Sequence, residues 1–114
     1  MRQINVENYM VKVRDVKGND VELPYEVKNS MIEALFSRDL QLSAREALDR
    51  DDLARKIRDC PDGTILLEES EYSKLEKAVE TIKGFGRTDI EFLRRILNAP
   101  EVEVEKKPKE AGKQ

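Results

Sequence analysis

From Tyr9 to Val16 the chain alternates apolar and polar residues, with Tyr9, Val11 and Val13 on one side and Met10, Lys12 and Arg14 on the other. A period of two marks a half-buried strand. Lys17-Gly18-Asn19-Asp20 supplies residues that accept positive φ, and Val21, Leu23 and Tyr25 then resume the alternation, so the pattern predicts a β-hairpin. Ile4 and Val6 extend its first strand or form a separate edge. Pro24 cannot donate to a ladder, which ends the second strand near it or puts that strand at an edge.

The period then changes. Val27, Met31, Ile32, Leu35 and Phe36 share one side of a helix that starts near Tyr25 or Glu26 and fades at Ser37-Arg38-Asp39; this stripe is expected to cover the hairpin. Ser43-Ala44-Arg45-Glu46 has the spacing of a capping box. The run Asp49 to Arg58 carries acids early and bases late, as the helix dipole favours, and Leu53, Ala54, Ile57 and Cys60 make its inner face. Pro61-Asp62-Gly63 stops it, and Thr64-Ile65-Leu66-Leu67 is an apolar run of strand length.

Ser70 is placed to cap a helix in which Tyr72, Leu75, Val79 and Ile82 recur at steps of three and four, and Gly84 ends it. Thr88-Asp89-Ile90-Glu91 reads as another capping box before a last helix that runs to about Asn98. Its apolar edge is Ile90, Leu93 and Leu97, widened by Phe92 and Ile96. The prediction is an α+β domain over residues 1–100: a hairpin, a short third strand and about four helices, closing in an αα-hairpin. Residues 101–114, EVEVEKKPKEAGKQ, are expected to be a charged flexible tail. Val102 and Val104 alternate with glutamates, a pattern that also suits an edge strand on a partner's sheet or one docked back on the domain.

Composition narrows the chemistry. A length of 114 residues supports one core without disulfides, and 24 acids against 21 bases leave a net charge of -3, contrary to the basic excess of a dedicated polyanion binder. With no histidine and one cysteine, Cys60, the chain lacks the imidazole base that activates a serine or thiol nucleophile. Cys60 falls at a predicted helix C-terminus, where the dipole disfavours a thiolate, and reads as a buried small side chain. The acids Asp49, Asp51 and Asp52, and Glu68, Glu69 and Glu71, lack the spacing of a calcium loop and read as caps and solvated faces. No catalytic residue, cofactor, metal or small-molecule substrate is expected. The lone cysteine, an N-terminus without a secretory pattern and the lack of a bilayer-length apolar run point to a reducing cytoplasm and no membrane.

Two resemblances bear on function. Ile82-Lys83-Gly84-Phe85-Gly86-Arg87-Thr88-Asp89-Ile90 resembles the helix-hairpin-helix of DNA-binding proteins over about a dozen residues. That likeness implies that Gly84 and Gly86 let backbone N–H groups approach a phosphate, with Lys83, Arg87, Arg94 and Arg95 adding charge. Asp89 and Glu91 place negative charge where the phosphate would sit, and the plain alternative is an αα-hairpin with Gly84 as its cap and Phe85 packed inward. The segments LPYEVKNSMIEALF and GFGRTDIEFLRRILNAPEVEVE, with the chain length, give a resemblance in style to small phage and prophage virion assembly or accessory proteins, without a diagnostic motif. It implies a non-enzymatic component that works by contact with itself or another protein, in the host cytoplasm or the virion. The competing class is a small DNA-associated regulator that uses the Gly84 to Arg87 turn.

Overall fold

The computed structural model describes residues 1–61 and 63–103. Their elements run in the order β1 (Arg2–Asn5), β2 (Tyr9–Arg14), β3 (Asp20–Tyr25), α1 (Val27–Leu35), α2 (Ala44–Asp59), β4 (Thr64–Leu67), α3 (Glu69–Thr81) and α4 (Ile90–Leu97). This is the α+β class that the sequence predicts, with two small antiparallel sheets. No helix among the described residues is long and apolar enough to cross a membrane.

β2 and β3 form the predicted hairpin, with Tyr9 opposite Tyr25, Val11 opposite Leu23 and Val13 opposite Val21. Its turn closes because Gly18 adopts φ 84° and the Asp15 carboxylate accepts from the N–H groups of Lys17 (2.9 Å) and Asn19 (2.8 Å). Pro24 lies one residue before the end of β3, an edge strand, as expected. Asp15 N–H donates to the Asn19 carbonyl, so the alternating ladder makes the Met10–Pro24 pair a non-bonded one and turns the imide nitrogen outward, where no N–H is needed.

β1 is a strand of its own and pairs with β4, Ile4 opposite Ile65. On its other side Gln3 N–H donates to the Pro100 carbonyl (3.1 Å), Val102 N–H to Met1 (2.7 Å), and the Met1 ammonium to the Val102 carbonyl (3.2 Å). Glu101 and Val102 therefore pair with the start of the chain. Val104, its companion in the alternating pattern, lies outside the described residues.

α1 departs from expectation. Its buried stripe, Val27, Met31, Ala34 and Leu35, packs on α2 and α3 and does not cover the hairpin. The helices offer it fully buried partners such as Ile57 and Leu75, whereas no hairpin residue is fully buried. α2 is one continuous helix opened by the predicted box, Ser43 Oγ accepting from Glu46 N–H (3.2 Å) and Glu46 Oε1 from Ser43 N–H (2.9 Å). Arg50 of α2 is buried, 9% exposed, and donates to the Lys74 carbonyl of α3 at 3.4 Å. At its end Cys60 is half-buried rather than buried.

α3 is capped at Glu68, not Ser70: the Glu71 carboxylate reaches back to Glu68 N–H at 2.9 Å, a turn that begins as soon as β4 ends. Before α4, a 3-10 turn at Arg87–Asp89 replaces the box predicted at Thr88. The helix buries Phe92 and Ile96, followed by Ala99, and leaves Ile90 45% and Leu97 40% exposed. The stripe read as the widening of the apolar edge is its centre.

Candidate functional site

The turn between α3 and α4 carries most of the residues that the sequence singles out. α3 ends at Thr81 with Ile82, in extended conformation, as its C-cap, so Gly84 lies two residues past the cap expected of it; it takes φ 97°, a left-handed value that penalises any side chain. No atom lies within 4 Å of where its Cβ would stand, so backbone conformation alone requires the glycine. Gly86 is extended at φ -107° and carries no such constraint. Phe85 packs against the core.

Two amides of this turn are directed at carboxylates of this chain. Lys83 N–H donates to Asp39 Oδ2 at 3.1 Å, and Gly86 N–H to Asp89 Oδ2 at 2.8 Å. The side chains of Lys83, Arg87 and Arg94 are exposed and form no ion pair among the described residues. Arg95 differs from them: its side chain is 14% exposed and pairs with Glu91 at 2.9 Å. It also donates to the Glu7 carbonyl at 2.6 Å and stacks 5.0 Å over the Tyr9 ring. It holds the β1–β2 connection against α4.

Asp89 is a junction. Its Oδ1 accepts from the Tyr25 hydroxyl at 2.6 Å while Oδ2 holds Gly86. The Tyr25 ring stacks on Tyr9 at 4.8 Å with planes 10° apart and packs on Phe92 at 5.6 Å. The Tyr9 hydroxyl donates to the Thr88 carbonyl and accepts from Phe92 N–H, each at 3.0 Å, so a side chain of β2 satisfies one orphan amide in the first turn of α4. Burial, then the hydrogen bond to Asp89, drives the Tyr25 hydroxyl well above the usual tyrosine range; burial also pushes Tyr9 up. Beside this junction lies an open cleft of about 340 Å³, lined by Tyr25, Ser30, Ile82, Phe85 and Asp89 among others. With both its oxygens already accepting and its tyrosine held neutral, the junction is built as a clamp.

Past the clamp, the apolar face of the hairpin continues outward through Val11, Leu23, Val13 and Val21. The three valines are half-buried, and Leu23 is 48% exposed. The reverse face opposes Lys12 to Glu22 and Arg14 to Asp20, with Arg14 Nε 3.7 Å from Asp20 Oδ1. The two strands pack on each other far more than on any other element.

Sequence reasoning singled out the glycines but missed Asp89 as the junction, and it read Tyr9 and Tyr25 only as strand residues. A signal was present: two tyrosines on one alternating face are amphipathic groups whose hydroxyls need partners when half-buried. Compared with known protein families, curated proteins and solved structures, the chain matches none.

Proposed function

We propose that this chain is a non-enzymatic protein-interaction domain, whose contact element is the hairpin arm formed by β2 and β3. The observation that carries this reading is an arm fixed at its base by Tyr9 and Tyr25 and presenting an apolar face, Val11, Val13, Val21 and Leu23, that the body does not bury. A partner that covers this face gains the burial that the domain itself leaves unused. The paired charges behind it keep the arm solvated. A virion component or assembly helper acting by contact, as the phage resemblance implies, fits this role.

The DNA-associated alternative rests on Lys83 and Arg87 of the turn and Arg94 of α4, all exposed. Against it stand the carboxylates of Asp39 and Asp89, which accept from the Lys83 and Gly86 amides and place negative charge at the turn. A photo-crosslinking residue at Leu23, used in the native host, tests the reading. A discrete protein adduct is expected, lost in a Val11→Asp variant of unchanged thermal unfolding and absent when the crosslinker stands at Glu22. Adducts of equal yield from both positions would overturn it. Duplex DNA retention near about 150 mM salt, lost in an Arg87→Glu, Arg94→Glu double variant, would favour the regulator.

A further inference from the structure

The Tyr9 hydroxyl stands inside the backbone ladder at the start of α4. It donates to the Thr88 carbonyl and accepts from Phe92 N–H, each at 3.0 Å, and those two groups lie four residues apart, the spacing of an α-helical bond. A hydroxyl from β2 thus takes the place that a direct bond from Phe92 N–H to Thr88 would hold. A side chain inserted in this way interrupts a helix. Here Arg87–Asp89 form a 3-10 turn, closed by Ile90 N–H on the Arg87 carbonyl, and the α-helix begins only at Ile90.

The sequence carries a different start for this helix. Thr88-Asp89-Ile90-Glu91 has the spacing of a capping box, in which Thr88 is the N-cap and its carbonyl accepts from the N–H four residues on, that of Phe92. That is the bond the Tyr9 hydroxyl interrupts. With the arm docked the box is unmade: Asp89 reaches back to Gly86 N–H at 2.8 Å, two residues before Thr88, and Glu91 turns forward to Arg95 at 2.9 Å. The chain therefore holds two competing helix starts, one set by Gly86 and Asp89 and one by Thr88 and Glu91.

We propose that the start of α4 is a two-position switch thrown by docking of the hairpin arm. With the arm docked, the Tyr9 hydroxyl props the ladder open, Asp89 holds both Tyr25 and Gly86, and the Arg95 guanidinium stacks on the Tyr9 ring. With the arm lifted, the ladder closes. Phe92 N–H bonds Thr88 directly, Thr88 becomes the N-cap, Glu91 leaves Arg95 for the Thr88 N–H, and Asp89 enters the first helical turn and releases Gly86. The docked position gains the Asp89 bond to Tyr25 and the Tyr9 contacts, the lifted position gains the box, and the two exclude each other. The turn that joins α3 to α4 thereby follows the state of the arm. The switch belongs to the clamp itself and does not require that a partner cover the arm.

Nuclear magnetic resonance on the full chain tests the proposal. Tyr9→Phe keeps the ring and loses the hydroxyl. In that variant a coupling through the hydrogen bond between the Phe92 nitrogen and the Thr88 carbonyl carbon should appear, absent from the wild type, and the Thr88 carbon shifts should move from helical to extended values. Adding Thr88→Ala should reverse that movement, because alanine is a poor N-cap. Thr88→Ala alone, with both tyrosines intact, should slow amide exchange in β2 and β3 by about fivefold, since only the lifted position uses the threonine. A merely structural threonine would leave exchange unchanged or, through lost packing, speed it. Should Tyr9→Phe lose its thermal transition, this single variant decides. Unchanged shifts from Arg87 to Glu91 in Tyr9→Phe, a Phe92 to Thr88 coupling already present in the wild type, or exchange that is not slowed in Thr88→Ala would overturn the proposal.

Discussion

The two sheets are each antiparallel and short, yet β1–β4 is built into the body and β2–β3 stands on it. Ile4, Ile65 and Leu67 are buried, and helices α3 and α4 pack against their strands. The hairpin is longer by two residues per strand and has no fully buried residue. An isolated two-stranded ribbon is marginal in water, so this one depends on its base. There the clamp of Tyr9, Tyr25, Asp89 and Phe92 fixes the direction of the arm. Alternation along a strand reports only which side chains share a face; whether that face is buried depends on what the rest of the chain sets against it.

The sharpest way to break the comparison is to truncate one apolar side chain in each sheet. Leu67, 0% exposed, should cost about 2–5 kcal/mol on replacement by alanine, through lost transfer energy and the cavity left behind. Val13→Ala, in the half-buried arm, should cost less than about 1 kcal/mol. Urea unfolding of both variants measures the difference. Equal losses would mean that the arm is part of the cooperative core.

A smaller effect is expected at the clamp. Tyr25→Phe removes the hydroxyl donated to Asp89, a bond to a charged acceptor worth about 1.5–3 kcal/mol, and should speed amide exchange in β2 and β3 more than in β1 and β4. Alkaline pH probes the same bond. Burial and then the Asp89 hydrogen bond raise the folded-state pKa of Tyr25 above its unfolded value, so the folded state holds this proton more tightly. Its stabilisation is complete below the ordinary tyrosine value of about 10 and is lost as pH rises through the raised folded value. Wild type should therefore lose stability more steeply than Tyr25→Phe above about pH 10. Parallel pH profiles for the two proteins would remove the clamp from the account.

These contrasts mark what the chain discloses by itself. The hairpin, its register, the Ser43–Glu46 box and the short strand Thr64–Leu67 are all local: the residues that specify them lie within a few positions of one another. What escaped the sequence reading is long-range. β1 is the separate edge that the sequence allows as one of two readings of Ile4 and Val6, but its partner lies about sixty positions away, and α1 turns its stripe to the other helices because their faces bury more than the hairpin does. The candidate site failed for the same reason. Gly84 and Gly86 have the spacing of a phosphate turn, but Asp39 and Asp89 accept from the Lys83 and Gly86 amides there, and the first of these lies on a distant loop. Arg95 looked like surface charge until Glu7 and Tyr9 were seen to enclose it.

The smallest expected effect concerns the residues that pair with the outer edge of β1. Read from the sequence, residues 101–114 form one tail, but Val102 N–H donates to Met1 at 2.7 Å and its carbonyl accepts from the Met1 ammonium at 3.2 Å. A chain ended after Glu103 keeps both bonds, and one ended after Pro100 loses both, so the comparison isolates three residues. The bonds lie at a sheet edge where water replaces a lost partner, and Val102 is only half-buried, so the stability difference should be about 1 kcal/mol. Exchange at amides in β2 and β3 should be the same in both chains, since no residue from 101 to 103 bonds to the hairpin. Indistinguishable urea midpoints for the two chains would show that the pairing contributes nothing to stability and that the expected tail begins at residue 101.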